Sequence, residues 1–476
     1  MRETTSSRER LIEAPGLRER CERAVKLARR RGRPLLLGWT TRVGADVDPS
    51  AVAIASRAPG EDWFCFEQPD RDGAALAALG CVQRLRAAGP GRFATVAAQW
   101  RELAADAVAE AADGPPGAGL VALGGFAFAP DGGGAPHWAG FGSGELVVPE
   151  LALARRGDDV RLTLAALAAP DDDAQQLAER LRARLASLRL GVPLPLLDPA
   201  PTGRFQVSST APPEHYEAAV ERAVERIAAG DFEKIVLARE VTVHAPRAHD
   251  AAAVYGVLRS GFESCYVIGV GRGERAFLAA SPELLIRREG HRAQTVALAG
   301  STRRSADPAV DAHLGERLLA SEKDRAEHAI VVHRITSALR PHAVWVTAPE
   351  EPRLIRVANI QHLATPVRAQ LKAPLGVVEL AGALHPTPAV GGEPHAAATP
   401  LIPAFEGLDR GWYAGAIGWA DANDDGEFCV GLRCALLRGA EARLYAGVGV
   451  VRDSDPVAEL AETEIKLGAL LPVLAG

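Results

Sequence analysis

The chain has 476 residues, with 54 Lys plus Arg against 60 Asp plus Glu and a formal net charge of −6. Its 47% apolar and 24% charged residues are typical of a globular protein and exclude a disordered chain. No basic surplus exists to neutralise phosphates, so we expect no nucleic-acid partner. Only five of the 54 basic residues are lysines, so the positions of the lysines become informative.

The N-terminal half, residues 1–200, begins with a charged segment that is unlike a signal peptide. The glycine- and proline-broken stretch 114–144 is not a membrane span. Six cysteines without metal-ligand spacing indicate buried, reduced thiols in a cytoplasmic protein. Apolar spacing predicts two helices, and apolar runs predict four strands. The helices are 17–30 and 172–190, and the strands are 34–39, 63–66, 120–128 and 145–153.

A proline-rich segment, 191–201, leads into the connector that we place at 201–213. It either separates two domains or crosses between two halves of one fold. The region 214–476 has sharper patterns, beginning with an amphipathic helix over 214–229 that Gly230 ends.

Further elements follow along 214–476. Four strands are predicted at 234–243, 266–270, 276–280 and 284–287. A long helical stretch spans 311–339, and a C-terminal helix spans 456–471. Between them, we predict three antiparallel strands at 413–419, 427–437 and 443–450, with a turn at 424–426.

The C-terminal helix places Glu459, Glu462 and Lys466 on one face, since their spacing is i, i+3 and i+7. An exposed Glu–Lys pair explains this spacing on its own. A second interpretation is a site for a hard cation such as Mg²⁺, which prefers carboxylate oxygens.

The segment 321–328 carries a similar charged face, with Lys323, Asp324 and Glu327 at i,i+3 and i,i+4 spacing. It is typical of a solvated helix surface. Alternatively, the two carboxylate faces converge on one ion.

Two ionisable residues adjoin apolar strands. Lys234 begins a strand and either reaches the surface or, if deprotonated in a desolvated site, acts as a base. Glu283 follows a proline in apolar surroundings, where burial would raise its pKa and suit it to act as an acid. A surface charge at a strand end is the alternative for each.

Several glycine-rich segments contain no nucleotide-binding pattern. Gly300, Gly447 and Gly449 either form turns or let a ligand approach the backbone closely. His362 is ambiguous between a structural and a catalytic role.

Taken in order, these segments resemble the chorismate-binding enzymes, a family that includes isochorismate synthases, salicylate synthases and anthranilate synthases. Ten ordered motifs carry the resemblance over about 260 residues, and the N-terminal half matches more loosely. The motifs are EKIVLARE (233–240), ASPELLIRR (280–288), LAGSTRR (298–304), ASEKDRAEH (320–328), HLATP (362–366), LHPTPAVGG (384–392), YAGAIGW (413–419), GLRCA (431–435), YAGVGVV (445–451) and ELAETEIKL (459–467).

The resemblance implies one large α/β (α+β) domain, in which two antiparallel sheets stack face to face and helices cover the outside. Both halves of the chain would contribute, so the connector becomes a crossover. Lys234 matches the lysine of relatives that add water at C2 of chorismate, where anthranilate synthases have glutamine. Ala299 occupies the position of the nucleophilic lysine of aminodeoxychorismate synthase, so that covalent route is excluded.

The resemblance also assigns roles. Mg²⁺ is the implied cofactor, with Glu327 and Glu462 as direct ligands and Glu459 and Asp324 acting through water. Lys234 would deprotonate the water that attacks C2, and Glu283 would protonate the departing C4 hydroxyl. The implied substrate-binding residues are Gly300, His362, Tyr413, Arg433, Gly447, Gly449 and Lys466.

The predicted function is therefore an isochorismate synthase, an isomerase that needs no glutaminase subunit and no membrane. A salicylate synthase is the alternative, although Ser301 in the AGS sequence favours release of isochorismate. A non-catalytic chorismate-binding protein is a third possibility, which Lys234 and Glu283 argue against. The product would serve menaquinone or siderophore synthesis, and the N-terminal half favours menaquinone.

Overall fold

The strands of the protein form two large antiparallel sheets in the computed structural model, which describes residues 13–110, 113–357 and 360–476. In chain order the strands are β1 (Leu35–Val43), β2 (Trp63–Gln68), β3 (Ala74–Leu79), β4 (Gln83–Arg86), β5 (Val121–Phe126), β6 (Gly144–Val148), β7 (Leu151–Arg156), β8 (Asp159–Ala168), β9 (Gln206–Ser209), β10 (Lys234–His244), β11 (Tyr266–Arg272), β12 (Arg275–Ser281), β13 (Leu284–Glu289), β14 (Arg292–Arg303), β15 (Ala343–Thr347), β16 (Arg353–Val357), β17 (Ile360–Leu371), β18 (Gly392–Glu393), β19 (Ala416–Asp421), β20 (Gly426–Val430), β21 (Cys434–Arg438) and β22 (Glu441–Val450).

Helices pack against strands of both sheets. In chain order the α-helices are α1 (Leu17–Arg31), α2 (Pro49–Ser56), α3 (Arg92–Ala105), α4 (Ala174–Ala186), α5 (Pro213–Ala228), α6 (Ala251–Gly261), α7 (Pro308–Ala320), α8 (Glu322–Leu339), α9 (Val377–Leu384), α10 (His395–Ala398), α11 (Ile402–Glu406), α12 (Pro456–Leu467) and α13 (Leu471–Ala475). Continuous apolar runs form central strands such as β5 and β11, because both faces of the sheets are buried there.

The first sheet has twelve strands in the order β1-β8-β7-β3-β2-β11-β12-β21-β22-β10-β18, with β9 also paired to β10. The second has ten strands in the order β15-β17-β14-β13-β20-β19-β5-β6-β4, with β16 also paired to β17. Strands from before and after residue 200 therefore share both sheets. The predicted α/β fold with two stacked antiparallel sheets is confirmed.

The main core lies between the two sheets. Phe66 and Phe277 of the first sheet and Trp419 of the second belong to one buried cluster. The Tyr266 hydroxyl of the first sheet also donates across this layer to Oε1 of Glu427 of the second sheet at 2.6 Å. Burying each such ring contributes about 1.5–3 kcal/mol, so this apolar layer stabilises the stacking of the sheets.

The outer face of the first sheet is covered by helices in two further clusters. Tyr255 and Leu258 of α6 pack in one of them. Leu17 of α1 and Leu177 of α4 pack in the other, against β7 and β8. The proline-rich stretch and the connector form an irregular segment from α4 to β9, and β9 joins the first sheet.

The predicted strand 427–437 is wrong, because it is two strands in different sheets. Residues of β20 pair with β13 and β19 in the second sheet, whereas β21 pairs with β12 and β22 in the first. The turn between them contains Arg433 with a left-handed φ of 46°. An almost continuous apolar run extends through the turn, so the pattern alone did not reveal the crossing.

Three other boundaries also differ from the sequence prediction. The stretch 311–339 is two helices, because Ser321 ends α7 and its hydroxyl caps α8. The run 145–153 is divided between β6 and β7, which lie in different sheets. The strand predicted at 413–419 begins only at Ala416, which leaves Tyr413 in the preceding turn.

All six cysteines are free, and five are buried as expected, whereas Cys81 is half-buried. Across the described residues, no helix combines the length and apolar character that crossing a bilayer requires.

Candidate active site

A cavity with about 920 Å³ of empty space, including its open mouth, lies at one end of the stacked sheets. Strands β10 and β22 of the first sheet, β14 of the second, and helices α8 and α12 enclose it. Twelve of the thirteen site residues predicted from the sequence line this cavity, namely Glu283, Gly300, Asp324, Glu327, His362, Tyr413, Arg433, Gly447, Gly449, Glu459, Glu462 and Lys466.

Lys234 is the thirteenth predicted residue and lies behind the cavity wall. It is the first residue of β10, and its side chain is completely buried. Its Nζ is 2.7 Å from Oε1 of Glu327, close enough for an ion pair although the alignment is not that of a hydrogen bond. The ammonium therefore reaches the cavity at the Glu327 carboxylate.

Glu283 presents a buried carboxyl group to the same cavity. It sits between β12 and β13, where its carbonyl accepts a hydrogen bond from the Val430 amide. Burial raises its pKa to about 8, although Lys234, a hydrogen bond from Thr387 and Lys466 lower it. The Thr387 hydroxyl is 3.5 Å from Oε1. At neutral pH this side chain is mainly protonated, as a general acid must be.

Two helices bring four carboxylates to the cavity. Asp324 and Glu327 lie on α8, and Glu459 and Glu462 lie on α12. Both carboxylate faces therefore border the same cavity, and their convergence on one ion stays a prediction. Burial and the neighbouring Glu327 carboxylate raise the pKa of Asp324, although a hydrogen bond from Ser321 lowers it.

Lysines neutralise the carboxylates of α12. Lys323 donates to Glu459 at 3.0 Å, and Lys466 lies 2.9 Å from Glu462. Burial raises the pKa of Glu459. Burial also acts on Glu462, but its ion pair with Lys466 and a hydrogen bond from Ser301 hold its pKa below the ordinary value. Glu462 is thus the more firmly ionised of the two.

Arg433 is fixed by its neighbours yet keeps one free donor. Its Nη2 lies 2.7 Å from Nε2 of His362, and its carbonyl accepts from Ala280. Burial, with the charges of Arg433 and Lys466, lowers the pKa of His362 well below its usual value, so the ring is neutral and accepts this bond. Nη1 of Arg433 is buried without a hydrogen bond to the described residues, although the guanidinium also interacts with the Cys265 thiol. Such an unpaired guanidinium donor suits a carboxylate ligand.

Glycines let the backbone come close to the charged groups. Gly300 is the extra residue of a β-bulge in β14 and has a φ of +75°. A Cβ on Gly449 would collide with Oε1 of Glu327 and lie 2.9 Å from Cε of Lys234. A Cβ on Gly447 would lie 2.7 Å from the Tyr413 hydroxyl. Any larger residue at 447 or 449 would displace a polar group of the site.

The match of a family model decides the affiliation of the chain. Residues 21–475 match the model described as chorismate binding enzyme, which is nearly the whole chain.

The chain belongs to the chorismate-binding enzymes.

Relatives in this family have isochorismate synthase names. The chain is 39% identical over 461 residues to the "salicylate biosynthesis isochorismate synthase" of Pseudomonas aeruginosa, covering 96% of this chain and 94% of that protein. The structure of MenF, the menaquinone-specific isochorismate synthase from Escherichia coli, matches with a TM-score of 0.76 at 28% identity, covering 96% of this chain and 100% of that one. A putative 2,3-dihydroxybenzoate-specific isochorismate synthase, DhbC, from Bacillus anthracis matches with a TM-score of 0.70 at 31% identity, covering 89% and 99%.

The family motifs contain further residues that the sequence analysis did not assign to the site. Thr387, in the LHPTP motif, contacts Glu283, and Ser301 donates to Glu462 at 2.7 Å. Tyr445 lines the cavity and stacks on Tyr413, with ring centroids 5.3 Å apart. All three occur inside quoted motifs, so the signal was present, but their partners became apparent only in the fold.

The donor set is chemically suited to Mg²⁺. The described part of the chain has no group of three or more His, Cys, Asp or Glu arranged to hold a metal. However, Mg²⁺ usually takes only one or two carboxylates and completes its shell with water and substrate oxygens. Glu327 and Glu462 line the same cavity and offer only oxygen donors. Both residues therefore fit the ion that the family resemblance implies.

Proposed function

We propose that the protein converts chorismate to isochorismate by adding water at C2 and removing the C4 hydroxyl. One observation carries this proposal: a mainly protonated Glu283 and a buried Lys234 approach one cavity, so an acid and a base are available together. The names of the relatives support the same reaction.

The two proton transfers are assigned to these two residues. Lys234, when unprotonated, accepts a proton from the water that attacks C2. Glu283 donates its proton to the C4 hydroxyl, which leaves as water while the ring double bond shifts. One water enters and one leaves, so the reaction is an isomerisation without a redox step. A positioned acid or base contributes about 10²–10⁴-fold each.

Other residues of the cavity hold the substrate. The free Nη1 donor of Arg433 would bind a carboxylate of chorismate, with its orientation set by the neutral His362. Tyr413 forms part of the wall beside Gly447. Mg²⁺ held by Glu327 and Glu462 would neutralise the ring carboxylate and compensate the charge of Glu327. The nucleophile is water rather than ammonia, so the reaction requires no glutaminase subunit.

The direct test is incubation of the purified protein with chorismate and Mg²⁺ in the absence of other enzymes. Isochorismate as the sole product supports the proposal. Salicylate with pyruvate would instead identify a salicylate synthase, and no turnover would leave only a binding role. Lys234→Ala protein purified in parallel controls for contaminating activity. Turnover that survives EDTA would contradict the magnesium assignment.

A further inference from the structure

Strand β10, which begins at the proposed base, has a gap along its outer edge. On this side β18 pairs with β10 only at Lys234 and Ile235. Pairing resumes when β9 joins β10 at Val241. The outward-facing backbone groups between these two strands need other partners, because buried unpaired N–H and C=O groups are costly.

A buried ion pair fills this gap. Nη2 of Arg410 donates to the Val236 carbonyl at 2.9 Å, and Oε1 of Glu406 accepts from the Ala238 amide at 2.6 Å. Arg410 and Glu406 also pair with each other, with Nε donating to Oε2 at 3.0 Å, and both are buried. The pair therefore replaces a neighbouring strand just beyond Lys234.

The same guanidinium also holds the turn that contacts the proposed acid. Nη1 of Arg410 donates to the Val390 carbonyl at 2.8 Å. The amides of Val390 and Gly391 donate to the Thr387 carbonyl at 3.1 and 2.8 Å, which closes the turn. Thr387 in turn contacts Oε1 of Glu283. One side chain thus links the strand of the base to the neighbour of the acid.

Aromatic contacts restrict the guanidinium further. Its central carbon lies 4.2 Å from the ring centroid of Phe128 and 5.6 Å from that of Tyr413. All three nitrogens of Arg410 are engaged in hydrogen bonds. Lysine has one nitrogen and no planar fork, so it cannot make the three connections together.

We infer that Arg410, held by Glu406, is a positioning residue that sets the relative placement of Lys234 and Glu283. This inference rests on the proposed function. Arg410 does not line the cavity, so its loss should affect the chemical step more than substrate binding. A displacement of about 1 Å at reacting groups can cost roughly 100-fold in rate.

The test compares Arg410→Lys with a matched control, Arg272→Lys. Arg272 is also a buried arginine beside a buried glutamate, with its Nε 3.3 Å from Glu145. However, Arg272 and Tyr266 lie at opposite ends of β11. Tyr266 pairs with Ser281, which comes shortly before Glu283 in the chain, so Arg272 is remote from the proposed acid. We expect both variants to melt at a lower temperature. Only Arg410→Lys should lower kcat, by about 10- to 100-fold with KM changed less than about threefold.

A second variant keeps the test decisive if Arg410→Lys fails to fold. Glu406→Gln retains an oxygen that can accept from Ala238 but loses the charge, and we expect kcat to fall by about fivefold or more at similar KM. Near-normal kcat in the folded variants, or an equal loss in Arg272→Lys, would overturn the inference. A wild-type protein without turnover would overturn the proposed function itself.

Discussion

The two halves of the chain build the same pair of sheets but contribute differently to the cavity. Strands β1 to β8, all before residue 200, supply five strands of the first sheet and three of the second. Yet every residue that lines the cavity lies at position 236 or beyond. The N-terminal half therefore serves as a frame, and the C-terminal half supplies the residues that line the cavity.

The cationic partners of buried carboxylates also differ between the frame and the cavity. In the frame, the buried carboxylate of Glu145 forms ion pairs with arginines, including Arg84 at 2.9 Å and Arg272 at 3.3 Å. At the cavity, lysines take this role, and Lys234, Lys323 and Lys466 are three of only five in the chain. Arginine is always charged and suits a static pair, whereas lysine can lose its proton, which a base must do.

Replacing Lys234 should give the largest effect on activity. Lys234→Ala removes the proposed base, so we expect kcat to fall by about 10²–10⁴-fold. Lys26→Ala, an exposed position on α1, is the control and should retain wild-type kcat. Steady-state production of isochorismate measures both. Full activity in the Lys234 variant would contradict its role as the base and the difference between lysines in the frame and at the cavity.

Replacing Glu283 should reduce activity almost as much and should also change its pH dependence. Because Glu283 acts in its protonated form and its pKa is raised to about 8 in the free protein, the ratio of wild-type to Glu283→Gln kcat/KM should decline as the pH rises through about 8, since the Lys234 proton affects both proteins alike. Glu283→Gln cannot donate a proton, so we expect about a 10²-fold loss and no such decline in the residual rate. A pH–rate profile of both proteins tests this. If the residual activity of Glu283→Gln declines over the same pH range, another group causes the decline.

The same substitution should alter stability with a definite sign. Because the folded pKa of Glu283 lies above the ordinary value of 4.5, its contribution to stability is present at low pH and is lost as the pH rises towards about 8. The melting temperature of Glu283→Gln relative to wild type should therefore increase from about pH 5 to about pH 9. A pH-independent difference would contradict the burial of an ionisable group here.

Gly449→Ala should have an intermediate effect. The added methyl group would meet the Glu327 carboxylate and Cε of Lys234, so the pair must move. We expect kcat to fall by about tenfold or more, since catalysis depends on positions within about 1 Å. Gly91→Ala is the control in the frame, because a Cβ there has no atom within 4 Å. Equal losses of kcat in the two variants would show that contact of the added methyl group with Glu327 and Lys234 is not the cause.

Trp138→Phe should have the smallest effect on activity. Trp138 is a fully buried frame residue whose ring lies 5.7 Å from that of Tyr445, and its Nε1 donates to the Asp409 carbonyl. We expect the free energy of unfolding to fall by about 1–3 kcal/mol, from lost packing and an unpaired carbonyl. Denaturant unfolding measures this, and kcat should change less than in Gly449→Ala. A larger loss of kcat would show that the frame also tunes the site.

Much of the fold and site could be predicted from the sequence. The two stacked sheets are confirmed, and the family resemblance is confirmed as well. The strand predicted across Arg433 is wrong, because a continuous apolar run does not show which sheet each residue joins. Helix spacing placed Glu459, Glu462 and Lys466 on one face, yet it did not show that Lys323 would pair with Glu459 across two helices.

The sequence by itself determined residue chemistry and local periodicity: which lysines and glutamates exist, and which share a helical face. Only the tertiary structure decided that Lys234 lies behind Glu327, that Glu283 is buried enough to stay protonated, and that Arg433 keeps a free donor. These properties depend on desolvation and on contacts between residues far apart in the chain. A local pattern carries no measure of either, because both arise when the two sheets close on each other.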